Sequence, residues 1–475
     1  MSKNLRINKN NFIDQTTRIS FKFNGQKLFG YKGDTLASAL LANNIHLVGR
    51  SFKYHRPRGI MTCGSEEPNA IVQIGNDPSL TDPNVRATEI ELYEGLDASS
   101  QNCWPSVNFD IGGINNFLSP LLPAGFYYKT FMWPASFWEK YEYFIRHSAG
   151  LGKAPTKSDP DIYDHQYSHC DVLVVGGGIS GIISAKLSAE KGLDTILIDD
   201  KSFLGGSTIY QENECYKINS VNSNKWLANE IESLKNYPNL LIKNRTSLAA
   251  FHGYNYLLAR ENLTDHLSIN EKKGKVRQRL WKIRAKKVII ASGSIERPLI
   301  FSNNDRPGII LSSSIKKYID YYGVKTGENI SLFTNNDSAY ETAISLYKSG
   351  VKVNVIVDIR KNSDSLIVKE ALELGLKVLW ESTVVDTQGY KRIKSFEVMK
   401  LSDDGNNVVG DRSKYNCDCL GISGGWTPMV HLFTQSGGKL KFRNDDNVFI
   451  PDENKTPSDQ ISVGSCNGEF KLNEI

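Results

Sequence analysis

The sequence predicts an α/β protein with an α+β N-terminal part, and three observations carry that prediction. From about residue 169 onward, short apolar runs suited to buried strands alternate with segments of helical periodicity, the pattern of doubly wound sheets. A strand–turn–helix–strand unit occurs there twice, once with its glycines and once without them. Before residue 95, alternating runs such as "RISFKFNG" and "NAIVQIG" flank one helical stretch, which reads as a small sheet with a packed helix.

In chain order, that helix lies in "DTLASALLANN". Asp34 or Thr35 caps its start, Leu36, Ala39 and Leu40 form its apolar face, and Asn43 and Asn44 end it. The first domain is expected over residues 1–95. Residues 96–168 read as an aromatic-rich connector, in which four prolines from Pro105 to Pro134 rule out one long helix. Phe126, Tyr127, Tyr128, Phe131, Trp133, Phe137, Trp138, Tyr141 and Tyr143 either cover the neighbouring domain or form a subunit interface, with a membrane surface as the third option.

The first repeated unit is "HCDVLVVGGGISGIISAKLSAEKGLDTILIDD". A continuous apolar strand, Val172 to Val175, suits a parallel sheet buried on both faces. Gly176, Gly178 and Gly181 then give G-x-G-x-x-G: a tight turn, a close backbone approach to a pyrophosphate, and close helix–strand packing. The helix from about Ile179 to Lys191 offers unpaired N–H groups and a positive dipole end to that pyrophosphate. A second strand, Ile196 to Ile198, delivers Asp199, 21 residues after Gly178, where a carboxylate can accept ribose hydroxyls. The same carboxylate would repel a 2′-phosphate, which favours NAD over NADP. The expected cofactor-binding set is Gly176, Gly178, Ile179, Ser180, Gly181, Asp199, Asp200, Gly206, Ser207, Ala291, Gly293 and Gly464.

The second unit, "ENISLFTNNDSAYETAISLYKSGVKVNVIVDIR", repeats the architecture with Thr334, Asn336 and Ala339 at the glycine positions. Asn336 puts a side chain where phosphates must come close, and Asp337 or Ser338 can cap the helix and occupy the same N–H groups. Its strands are expected at Ile330–Phe333 and Val353–Val357, with weak pyrophosphate affinity. The first nucleotide-binding domain is expected over residues 169–300 and 420–475, and the second over 301–419. "KKVIIASGSIERP" and "ISVGSCNG" read as their crossing and closing segments. Flavin-binding proteins of this kind end the closing strand in Gly-Asp; here Ser465 follows Gly464, so NAD or an adenine nucleotide suits the first site better than FAD. After the ribose acid only Cys215 lies nearby, so a redox pair of cysteines is excluded.

With 40% hydrophobic and 23% charged residues, the chain reads as an ordinary globular protein able to bury large cores. A net charge of +5 over 475 residues is small for a dedicated nucleic-acid binder. Seven scattered cysteines and a polar N-terminus suggest neither a disulfide framework nor a secretory signal, and no apolar window approaches the ~18 residues of a membrane span. A cytoplasmic location is the expectation. The eight histidines are isolated, and neither a Ser-His-Asp order nor a metal-ligand cluster is visible, so no catalytic residue or metal is assigned.

Several longer motifs, taken together, resemble the alpha subunit of heterotetrameric sarcosine oxidase across nearly the whole chain. They include "GDTLASALLAN", "GRSFKYHRPRGI", "GSEEPNA", "PAGFYYKTFMWP", "RHSAGLG", "ERPLIFSNNDRPG", "TNNDSAY" and "SGGWTPMVHLFTQSGGK". The large subunit of N-methylglutamate dehydrogenase is similar and is the nearest rival. The resemblance implies a ferredoxin-like, [2Fe–2S]-type N-terminal domain followed by two disulfide-reductase-type, Rossmann-like nucleotide domains. Cluster carriers place cysteines as C-x₄-C-x₂-C in the loop after such a helix; here Cys63 stands alone until Cys103, so no iron–sulfur cluster is expected.

By the same resemblance, a beta subunit carries FAD and oxidises the N-methyl amine, FMN lies at the alpha–beta boundary, and the alpha chain binds NAD that does not turn over. The basic run Arg50, Lys53, His55, Arg56 and Arg58 would line a protein interface or an anionic flavin phosphate, or pair with Glu66 and Glu67. The resembled subunit continues into a folate-binding domain, whereas this sequence stops at "NGEFKLNEI", from which a truncated or split subunit is expected. A stand-alone FAD and NAD(P)H reductase and a nucleotide-free assembly module are the alternatives of other classes.

Overall fold

The computed structural model describes residues 4–7, 12–121, 125, 133–149, 152–211, 217–218, 220–457 and 459–470. Two compact units divide the chain, Met1–Pro160 with Pro298–Gly424, and Asp161–Arg297 with Gly425–Ile475.

In the first unit, the N-terminal sheet runs Gln26–Lys32, Asp14–Phe23, Asp97–Ser100, Ile71–Ile74, Asp82–Arg86. Its helix is Leu36–Ala42, capped by Thr35, whose Oγ1 accepts from Ser38 N while Ser38 Oγ accepts from Thr35 N. All seven helix residues are buried, so Leu40→Ala should cost about 2–5 kcal/mol. The sheet continues past residue 95, because Asp97–Ser100 pairs with both Asp14–Phe23 and Ile71–Ile74. Its sequence, "DASS", has no apolar alternation, so nothing local announces that strand.

The basic run binds this sheet to the rest of its own unit. Arg56 and Arg58 both pair with Asp305, at 2.6 and 2.5 Å, rather than with Glu66 or Glu67. Arg50 is buried and donates to Val107 O. Glu67 is buried too, and accepts from the backbone N–H groups of Met61, Thr62, Asn69 and Ala70. Burial raises its pKa, and those bonds oppose the rise. Tyr318 OH donates to Thr62 O at 2.8 Å, and Leu311 N to Met61 O at 2.8 Å.

Residues 298–424 form a parallel sheet in the order Ile309–Leu311, Cys419–Ser423, Asn329–Thr334, Lys352–Asp358, Val378–Leu379. A three-stranded antiparallel sheet, Ser382–Gly389, Ile393–Leu401 and Val408–Asn416, adjoins it in sequence. Of the aromatic segment, Phe126, Tyr127, Tyr128 and Phe131 lie outside the described residues. Trp133, Phe137, Trp138 and Tyr143 are exposed, on or just before the helix Trp138–Ala149.

In the second unit, parallel strands order as Leu240–Lys243, Thr195–Ile198, Ile162–Val175, Val276–Ile290, with Gln460–Ser462 also paired to the last. Leu173, Val175, Ile196 and Ile198 pack one face; Val172, Val174 and Leu197 pack the other against Ile182 and Ala185 of the glycine-turn helix. The first strand begins at Ile162, ten residues before the apolar run, because the polar stretch "IYDHQYSHCD" pairs in register with the first half of Val276–Ile290. The lobe with the first glycine turn therefore starts ahead of residue 169.

Candidate dinucleotide site

Gly176 ends the first strand at φ +108, and a Cβ there would sit 2.2 Å from Ala291 O. Only glycine turns the chain so close to the crossing strand. Gly178 begins the helix Ile179–Glu190 with extended backbone and no side-chain cap, and a Cβ placed on it would meet nothing within 4 Å. Gly181 is the opposite case: its Cβ would lie 1.8 Å from Gly176 O, so helix and turn are in direct backbone contact. The three glycines thus do three jobs, and only Gly178 faces open space. The first-turn N–H groups of Ile179, Ser180 and Gly181 have no partner within the helix and present its positive end there.

Asp199 follows the second strand. Its carboxylate accepts from Gly177 N at 2.6 Å and from Lys201 N at 2.8 Å. Burial, and then the neighbouring Asp200 charge, push its pKa up to about 6 against those bonds. Asp200 itself is exposed and pairs with Lys201 at 2.8 Å, so it stands beside the site without joining it. Gly205 N donates to Gly177 O, and Gly206, at φ +56, would carry a Cβ 3.0 Å from Gly178 Cα. The loop with Gly206 and Ser207, which opens the short helical turn Gly206–Tyr210, therefore lies on the glycine turn.

Gly464, at φ +69, would carry a Cβ 2.2 Å from Ser180 Oγ, and Gly293, at φ +80, lies beside Ser465. The glycine turn, the loop after Asp199, the crossing turn and the closing turn thus converge. Sequence reasoning passed over Gly177 and Gly205. A Cβ on Gly177 would strike Leu204 and come within 2.9 Å of Asp199 Oδ2, and Gly205 has φ +119. The unbroken "GGG" and "GG" runs were the signal.

At the second turn, Asn336 Oδ1 accepts from Ser338 N and Oγ, and its Nδ2 donates to Ser423 Oγ at 2.9 Å. Asn336 is thus the residue that caps this helix, in place of the expected Asp337 or Ser338; Asp337 is already helical in backbone and makes no cap bond. Its carboxylate instead takes Arg360 Nη1 at 2.7 Å and Ser363 Oγ at 3.0 Å. Asp358, at the end of the following strand, is fully buried and bonded by Tyr340 OH and by Arg360 Nε and Nη2. Burial works against the Arg360 charge, but the bonds to Asp358 and Asp337 outweigh it and raise its pKa.

Among the described residues, Cys63, Cys103, Cys170, Cys417, Cys419 and Cys466 form no disulfide, and Cys215 lies outside the described residues. Among the described residues, no group of three His, Cys, Asp or Glu is placed to hold a metal ion, and no helix is long and apolar enough to cross a membrane.

Residues 170–472 match the family model "Pyridine nucleotide-disulphide oxidoreductase", which spans both nucleotide-type sheets. The chain belongs to the pyridine nucleotide-disulphide oxidoreductase family.

Ahead of that family's domains, residues 16–103 match "2Fe-2S iron-sulfur cluster binding domain", so a ferredoxin-like domain precedes them. The chain is homologous to sarcosine oxidase alpha subunits over nearly its whole length. It is 42% identical over 446 residues to "Sarcosine oxidase subunit alpha" of Rhizobium meliloti (strain 1021), covering 94% of this chain and 43% of that protein. With the protein of the same name from Corynebacterium sp. (strain U-96) it shares 32% over 441 residues, 92% of this chain and 40% of the relative. The chain therefore spans less than half the length of these relatives. Among solved structures, L-proline dehydrogenase from P. horikoshii shares the fold, with a TM-score of 0.63 at 19% identity over 98% of this chain and 71% of that one.

Proposed function

We propose that this chain is the nucleotide-binding part of the alpha subunit of a heteromeric sarcosine oxidase. It holds NAD at the first glycine turn and helps enclose FMN beside a flavin-bearing beta subunit, in a cytoplasmic heterotetramer. Such an enzyme takes sarcosine, water and oxygen to glycine, formaldehyde and hydrogen peroxide, or yields methylene-tetrahydrofolate where folate captures the one-carbon unit. The amine-oxidising site belongs in this reading to the beta subunit, so no residue here receives a bond-breaking role.

The observation that carries the reading is the open approach at Gly178 beside the half-buried Asp199 carboxylate. The residues fit the ligand. Backbone N–H groups of Ile179 and Ser180 would take the pyrophosphate, and Asp199 would accept adenosine ribose hydroxyls. A 2′-phosphate would meet Asp199 with Asp200 beside it, which favours NAD over NADP. Bound NAD would supply binding energy and order to these turns, without hydride transfer. Arg56 and Arg58 are committed to Asp305, so no FMN phosphate ligand is assigned in this chain.

The test is the supernatant released by heat from the pure chain, read by mass spectrometry and visible absorbance. NAD in a colourless preparation is expected. Firmly bound FAD would favour the stand-alone reductase, and no adenine dinucleotide would favour the assembly module. Turnover of sarcosine against N-methylglutamate by the complex with its beta subunit separates the proposal from its nearest rival.

A further inference from the structure

The closing turn carries a carboxylate that the sequence pattern does not announce. After Gln460–Ser462 the chain makes the short helical turn Gly464–Asn467, and Gly468, at φ +89, returns it on itself. Glu469 then folds back. Its Oε2 accepts from Gly464 N at 3.0 Å, its Oε1 from Asn467 Nδ2 at 3.2 Å, and its own N–H donates to Gly464 O at 3.2 Å. The peptide it grips is the one lying against Ser180, in the first turn of the glycine-turn helix.

Both donors to this carboxylate are neutral, and no Lys or Arg salt bridge reaches it among the described residues. Each oxygen can accept a second hydrogen bond. A half-buried anion with spare acceptor capacity repels phosphate and suits vicinal hydroxyls. Asp199 already occupies the adenosine side of the same turn.

We propose that Glu469 is a specificity-determining residue of this site, accepting the hydroxyls of the second sugar, on the far side of the pyrophosphate from adenosine. This rests on the dinucleotide reading of the glycine turn and deepens it: an anion at each end orders the ligand as sugar, pyrophosphate, sugar, and makes the site prefer a dinucleotide to ADP.

The experiment is calorimetric titration of the full chain, freed of bound nucleotide by exhaustive dialysis and checked by mass spectrometry, wild type against Glu469→Gln and Glu469→Ala, with NAD, ADP-ribose and ADP. Glu469→Gln keeps an acceptor for Gly464 N–H, so it guards against a misfolded closing turn. In both variants NAD and ADP-ribose should weaken roughly tenfold or more, as for a lost charge-assisted hydrogen bond, while ADP holds or tightens. Equal weakening of all three ligands, or of none, overturns the assignment while the dinucleotide reading stands. Wild-type protein that binds none of them overturns both.

Discussion

Gly178 and Asn336 stand at the same step of two strand–turn–helix units, and their surroundings differ in what satisfies the free helix end. At Gly178 there is no cap and no neighbour within 4 Å on the Cβ side, and the acid after the next strand is held by two backbone N–H groups. At Asn336 the cap is internal, and the corresponding acid, Asp358, is saturated by Arg360 and Tyr340. One turn leaves its helix N–H groups uncapped, and the other has spent them on itself. A shared backbone architecture therefore does not imply a shared ligand; the electrostatic closure of each turn decides.

The strongest way to break the comparison is Gly178→Val. Its backbone is extended, so valine folds there, but the branched side chain fills the phosphate approach; bound nucleotide should fall by at least about 100-fold, with the melting temperature nearly unchanged. Unchanged nucleotide content in the purified variant would refute the site.

Asp358→Asn comes next. Removing one charge from a buried network should cost about 3 kcal/mol in denaturant unfolding, yet leave the nucleotide stoichiometry of folded protein at the wild-type value.

Asp199→Asn at the matching position should do the reverse, weakening NAD about tenfold by titration with little loss of stability. Its pH dependence sharpens the point. With the folded pKa raised to about 6, this group favours the apo fold most below the ordinary carboxylate range, and that contribution is lost as pH rises through 6. Ribose hydroxyls need the ionised form, so NAD affinity should run the other way and fall below about pH 6; Asp199→Asn should flatten both profiles.

The smallest effect is expected from Cys63→Ser, which should leave the visible spectrum of the purified chain unchanged. A lost absorbance band would reveal a cluster.

The parts legible in the sequence were those whose chemistry is local. The glycine turn, the capped helix at Thr35 and the acid after the second strand each follow from spacing over a short stretch of chain. What escaped was carried by partners far along the chain. The basic run points by sequence to an interface, to a flavin phosphate, or to Glu66 and Glu67 nearby, but the anion that Arg56 and Arg58 reach is Asp305, about 250 positions on. Asn336 was visible as an obstruction, whereas the Arg360 bridge between Asp337 and Asp358 needs the strand order to bring it home. The strand Asp97–Ser100 and the first ten residues of Ile162–Val175 were missed because their sequences are polar and their pairing is set by neighbours rather than by alternation.

The grip on Asp305, together with the Tyr318–Thr62 and Leu311–Met61 bonds, makes the N-terminal module poorly portable. Excised at its border it would expose Arg56, Arg58 and a stranded Met61 carbonyl to solvent, all of them anchored in the intact polypeptide by residues beyond 300. Swapping in a ferredoxin from elsewhere, or lending this one to another enzyme, would mean transplanting both halves of that seam.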